Sequence, residues 1–303
     1  MPRLVMILAS CLGLGLAGSL QTTVGDEPTE GNHSTSALLS FDDLQRRLGE
    51  PGLRPLDVRS KDDYDKGHVP GAVWVDVQAA SKLAARPGGL DDRQAWEDWI
   101  AHLGLKPGVE IVVYDDNRQL DAARVWWLLG YLGVEKVGLL DGGFSLWKNE
   151  DRPVSAEAPK VEPAAFPVAF RRERRATRDE VLDALKSKSA RIVDARSDAE
   201  FTGAEKRSKR GGRIPGACHV EWAQLVDKDG RFLPVETLRA KFEEANLQEG
   251  EPVITHCQGG GRASVDAFVL ERLGFPARNY YPGWSDWGNT DDAPIETGAS
   301  EPK

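Results

Sequence analysis

Leu53-Arg54-Pro55-Leu56-Asp57-Val58-Arg59-Ser60 reads as a short strand running into an acid and an arginine, and the chain repeats it as Ala190-Arg191-Ile192-Val193-Asp194-Ala195-Arg196-Ser197. After the first copy comes Gly67-His68-Val69-Pro70-Gly71-Ala72, and after the second Gly212-Arg213-Ile214-Pro215-Gly216-Ala217. The second spacing is longer, and its extra residues include Lys206, Arg207, Lys209 and Arg210. Further along, Ile111-Val112-Val113-Tyr114 matches Val253-Ile254-Thr255-His256, each ahead of a loop and a helix-like run ending in Leu-Gly. Both copies close on an aromatic-glycine turn, Gly142-Gly143-Phe144-Ser145-Leu146-Trp147 and Pro282-Gly283-Trp284-Ser285-Asp286-Trp287. Four landmarks in one order, about 140 residues apart, mean a duplicated domain, because solenoid units are far shorter.

Short β-branched strands alternating with amphipathic runs of helix length indicate α/β domains, each a mostly parallel sheet flanked by helices. Helices are expected over 41–48, 94–103, 178–187 and 236–245, the third opening on Thr177 with Glu180 completing a capping box. A chain of 303 residues suits two such domains, placed at 39–150 and 173–292. Residues 151–172, rich in proline and alanine and lacking period, read as the linker, and 293–303 as a flexible tail.

Upstream, one basic residue, Arg3, precedes an apolar run over 4–17, and no acid appears before Asp26. With Ala17-Gly18-Ser19 as a small-residue cleavage site, residues 1–19 are expected to be an export signal, leading to the periplasm or the exterior. Leu8-Ala9-Ser10-Cys11 offers the alternative of a lipid anchor on Cys11, the one route to membrane contact foreseen here. Residues 20–38 read as a flexible leader. A net charge of −9 argues against a dedicated nucleic-acid binder. Residues 171–213 carry 14 arginines and lysines against 8 acids, but without interleaved aromatics; they read as a solvated face, or as a field attracting small anions. Three cysteines, at 11, 218 and 257, are too few for a disulfide scaffold.

The chemistry concentrates in Thr255-His256-Cys257-Gln258-Gly259-Gly260-Gly261-Arg262-Ala263-Ser264. A hydrophobic strand runs into a cysteine, three glycines follow, and a helix begins near Arg262 or Ala263. Glycines permit a tight loop whose N–H groups turn toward one point, and the helix N-terminus adds more. Such a cradle suits a thiolate nucleophile, or a charged sulfur species held on it. Strand alternation points the side chain of His256 away, which makes it a neighbour rather than a general base.

This loop resembles the active-site loop of rhodanese-type sulfurtransferases, Cys-x-x-Gly-x-Arg in many members. The repeat resembles the tandem form that includes thiosulfate and 3-mercaptopyruvate sulfurtransferases. Ala123-Arg124-Val125-Trp126-Trp127 and Asp141-Gly142-Gly143-Phe144 look like further landmarks of that family. The resemblance implies two rhodanese-like domains, the first inactive, with Asp115 standing where the second has Cys257. It implies Cys257 as nucleophile and persulfide carrier, and Arg262 as a brace for the loop or a counter to substrate charge. Gln258, Gly259, Gly260 and Gly261 would bind the sulfur, Arg196 would contact substrate, and Arg213 or the cations from 206 to 210 would add charge. Sulfur would pass from a small anionic donor to cyanide or a thiol, with no metal or organic cofactor, in a monomer. The loop departs from the best-studied branches, because neutral Gln258 and Gly259 replace a basic pair and Arg262 replaces a threonine.

Two other classes compete. A cysteine phosphatase needs five residues between cysteine and arginine, and here Gln258 to Gly261 are four. A non-catalytic sulfur-delivery or binding protein would use the same scaffold. A Cys218–Cys257 disulfide is the remaining alternative for the thiol, although Cys218 stands where the first copy has Val73, a position for a small buried group.

Overall fold

Strands buried on both faces pair in parallel only when helices cover both faces, and the chain builds that arrangement twice. In the computed structural model, which describes residues 37–298, the first half runs β1 (Ala37–Leu39), α1 (Phe41–Arg46), β2 (Leu53–Asp57), α2 (Lys61–Lys66), β3 (Val73–Trp74), α3 (Val77–Ala85), α4 (Arg93–His102), β4 (Glu110–Tyr114), α5 (Leu120–Tyr131), β5 (Val137–Leu140) and α6 (Phe144–Asn149). The second runs α7 (Arg178–Ser187), β6 (Arg191–Asp194), α8 (Asp198–Thr202), β7 (Cys218–His219), α9 (Val235–Glu244), β8 (Val253–His256), α10 (Gly261–Arg272), β9 (Ala277–Asn279) and α11 (Gly283–Trp287). The sheets have orders β1-β5-β4-β2-β3 and β7-β6-β8-β9, parallel throughout. They correspond strand for strand, except that the partner of β1 shrinks to one bridge between Arg175 and Asn279.

The four expected helices form within two residues of their expected ends. Thr177 and Glu180 make the reciprocal cap. No described helix is long and apolar enough to cross a membrane.

The halves share one core. α5 is buried at every residue from Ala122 to Tyr131 except Arg124, which an isolated surface helix could not be. It packs on α10, with Trp126 edge-on to Phe268 at 5.0 Å and Trp127 stacked on Tyr281 at 4.9 Å. Arg118 donates to the carbonyls of Ala223 and Val226, and Gln119 to that of Gly230, across the same seam.

Two boundary expectations change. The leader was placed to 38, but Ala37 and Leu38 pair with Gly138 and Leu139 in the first sheet. The linker is laid along the first domain: Ser155 and His68 exchange backbone bonds, and Phe166 and Val168 are buried. The expected tail at 293–303 is docked as far as it is described, with Ala293 buried, Glu296 bridged to Arg213, and the Gly298 N–H on the Thr202 carbonyl. Apolar contacts and available backbone partners outweigh a polar composition there. The export segment, Cys11 and residues 299–303 lie outside the described residues.

Candidate active site

Cys257 follows β8 directly, at the carboxyl end of the sheet, where parallel α/β folds place ligand sites. It is 2% exposed. The loop after it has every carbonyl drawn outward. Cys257 O accepts from Trp284 N at 2.7 Å, Gln258 O from Ser285 N at 3.0 Å, and Gly259 O from Arg124 Nη1 at 2.8 Å. Gly260 O takes the Ser264 hydroxyl at 2.8 Å and the Asn279 amide at 3.2 Å. Within the loop the Gly261 N–H closes on Gly259 O at 3.1 Å, so the remaining N–H groups are left to the sulfur, and α10 begins at Gly261 behind it.

Two close approaches fix this geometry. Gly283, at φ 55°, lies so near the Cys257 carbonyl that any Cβ would overlap it. Gly143 stands in the same way against Asp115 O in the first domain, so the aromatic-glycine turn clamps both loops. Gly260, at φ 80°, leaves room only for the Tyr281 ring, whereas a Cβ on Gly259 would meet nothing within 4 Å. Gly259→Ala is therefore expected to keep activity within about twofold, and Gly260→Ala to lose about tenfold or more through backbone strain. Equal losses in kcat/KM for the two would contradict this reading of the loop.

Arg262 forms a fork on Glu200, at 2.5 and 2.9 Å, on a carboxylate that is 1% exposed. Burial raises the Glu200 carboxyl, but Arg262 outweighs it and holds the group below its ordinary 4.5. Glu200 was missed, although Ser197-Asp198-Ala199-Glu200 is a capping box, found formed at α8. Gln258 turns its amide to Ser208 Oγ at 3.2 Å rather than toward the thiol.

Two residues expected at the substrate are engaged by protein groups. Arg196 is 1% exposed, forked on Asp194 at 2.5 and 2.9 Å, bonded to Gly212 O, and stacked over Trp284. Arg59 does the same with Asp57, Gly67 O and Phe144 in the domain that lacks a thiol. A device present in both copies braces the fold. Arg213 bonds Gly298 O at 2.6 Å, pairs with Glu296 and lies over Phe201, so it holds the chain end. Several other cations of the basic stretch are also engaged: Arg172 and Arg175 on Asp91, Arg178 on Asp286, Arg210 on carbonyls of α11 and its neighbours.

His256 points away from the loop into the domain, fully buried, 3.5 Å from Asp194. Burial holds its imidazole down to about 4, while Arg196 keeps Asp194 ionised against burial. An unfolded histidine takes its proton near 6.5 and the folded one does not. Stability should therefore fall as pH drops from 6.5 toward 4. Urea midpoints across that interval test this, and His256→Phe should flatten the slope.

Cys218 and Cys257 are free thiols. Cys218 sits on β7, with β6 between it and β8, so about 10 Å of sheet separates their strands. That exceeds the reach of a disulfide.

The first-domain loop shows what happens without sulfur. Asp115 turns its carboxylate back into its own cradle and accepts the N–H groups of Asn117, Gln119, Asp121 and Ala122 at 2.9–3.1 Å. Burial pushes this carboxyl up to about 6 despite those bonds. The adjacent cleft, of about 400 Å³, thus lies against a filled cradle.

The rhodanese-like domain model matches residues 40–150 and again 177–290. The chain belongs to the rhodanese-like family. This tandem rhodanese-like protein is 37% identical over 259 residues to a thiosulfate sulfurtransferase of Azotobacter vinelandii, covering 84% of this chain and 94% of that one. It is 33% identical to the sulfur carrier protein TtuD of Thermus thermophilus, over 86% of this chain and 96% of the relative. Among solved structures it is similar to SseA of Escherichia coli, a 3-mercaptopyruvate sulfotransferase, with a TM-score of 0.70, 30% identity, and coverage of 82% and 98%.

Proposed function

We propose that this rhodanese-like sulfurtransferase moves a sulfane sulfur from thiosulfate or 3-mercaptopyruvate to a thiophilic acceptor through a persulfide on Cys257. The observation that carries the assignment to Cys257 is its loop, with all carbonyls drawn outward at the N-terminus of α10, set against the Asp115-filled loop of the first domain. The Cys257 thiolate attacks the outer sulfur of thiosulfate; a sulfur–sulfur bond forms, the bond to the sulfonate breaks, and sulfite leaves with the electron pair. From 3-mercaptopyruvate the carbon–sulfur bond breaks instead, and the enolate leaves and takes up a proton. The persulfide, stabilised by the loop N–H groups of Gln258, Gly259, Gly260 and Arg262, is then attacked at its terminal sulfur by cyanide or a thiol, which restores the thiolate.

Neutral Gln258 and Gly259 give the loop no preference of its own between the donors. Steady-state rates with each donor, paired with cyanide and with a thiol, set their order and should show ping-pong kinetics. Similarity to a sulfur carrier supports a second reading, in which the acceptor is a protein thiol. Persulfide that forms rapidly but discharges slowly to small acceptors would favour it. The apolar run over 4–17 supports export as part of the proposal; cell fractionation and the amino-terminal residue of the mature protein test it.

A further inference from the structure

The first domain has no thiol, yet one of its arginines reaches the loop of the second. Arg124 on α5 donates through Nη1 to Gly259 O at 2.8 Å and to the Tyr281 hydroxyl at 3.0 Å. A Cβ on Gly261 would overlap Nη2, so the third glycine leaves the space that the guanidinium fills. Arg124 was quoted from the sequence only as part of an Ala-Arg-Val-Trp-Trp landmark, with no role attached.

Its charge is distinctive because the others around Cys257 are paired or suppressed. Arg262 is forked on Glu200, Arg196 on Asp194, and half-exposed Arg207 lies between Glu205 and Glu200. His256 faces away beside Asp194. Asp266 on α10 is buried with neither oxygen bonded, and burial pushes its carboxyl well up, toward the neutral acid. Burial likewise raises the Tyr281 phenol. Asp121, one turn before Arg124, accepts the Asn117 amide. The two hydrogen-bond acceptors of Arg124, a carbonyl and a phenol, carry no charge.

We propose that Arg124 is a positioning residue for sulfur transfer: it pins the Gly259 carbonyl outward and sets a positive charge that forms no salt bridge beside the Cys257 thiolate and its persulfide. The inference rests on the sulfur-transfer reading above, and it gives the thiol-free domain a direct part in the site. The cation missing from the loop sequence arrives from the other domain.

The test follows the rate of Cys257 alkylation by iodoacetamide against pH in the full chain, alongside kcat and KM for thiosulfate. Arg124→Met should move the alkylation half-point up by about one pH unit and lower kcat/KM by about tenfold or more. Arg124→Lys, which keeps the charge without the fork, should recover part of the pH shift. Arg118→Met, which loosens the same domain seam at the Ala223 and Val226 carbonyls without touching a bond to the cysteine loop, should leave the half-point where it is. A folded Arg124→Met with wild-type half-point and kcat/KM overturns the proposal, as does an Arg118→Met shift of equal size. If Arg124→Met does not fold, Arg124→Lys with unchanged kcat/KM and half-point overturns it. A half-point that depends on Arg124 in a protein that forms no persulfide would sink the donor assignment and leave the electrostatic role standing.

Discussion

Cys257→Ser is expected to lose sulfur transfer by about 10⁴-fold or more, in line with removal of other covalent nucleophiles. After thiosulfate the wild type should gain about 32 Da, one sulfur atom, on the peptide carrying Cys257, and the variant nothing. The loop should survive the change, because its shape is set by bonds to Arg124, Trp284, Ser285 and Asn279 rather than by the sulfur. Cys218 serves as an internal control: it is buried on β7, where Arg191 Nη2 lies 2.9 Å from its sulfur. Sulfur found on Cys218 instead, or activity persisting in the serine variant, would move the chemistry elsewhere.

Arg262→Ala should be strongly destabilising. It strands the Glu200 carboxylate, which is 1% exposed and whose other contacts are its own cap at Ser197 and the half-exposed Arg207. Breaking a buried pair from one side costs about 3–5 kcal/mol. Glu200 is held below 4.5 in the folded chain, so the stability it contributes is complete above that value and drains away as pH falls through it. Without Arg262 the carboxyl tolerates folding only when protonated, and the deficit of the variant should narrow in acid. Denaturation midpoints at pH 7, pH 5 and pH 4 check both statements, and Arg262→Met combined with Glu200→Leu should recover most of the loss. A deficit independent of pH would mean that Arg262 acts by packing rather than through Glu200.

Much of the site was legible because it is local. Cys257, its glycines and Arg262 are contiguous, and a strand, a tight loop and a helix follow from hydrophobic pattern and glycine content. Glu200 was legible in principle as a capping residue, but nothing in its own segment says that Arg262 will cross from α10 to meet it. Arg196 shows a related ambiguity. A charged residue after a strand is compatible with a ligand contact or a buried brace, and only its match with Arg59, seen with partners in place, separates them. Arg124 and Asn279 lie on other elements, and no spacing connects them to the loop.

The sequence by itself determined the duplication, the α/β class and the position of the thiol, since each depends on order and periodicity along the chain. Tertiary structure decided which charges remain free to act. Pairing is a property of distance in space, and burial makes each pairing consequential: Arg196, Arg213 and Arg262 are consumed by neighbours, the Asp115 cradle is filled by its own carboxylate, and Arg124 comes from the domain that lacks the cysteine.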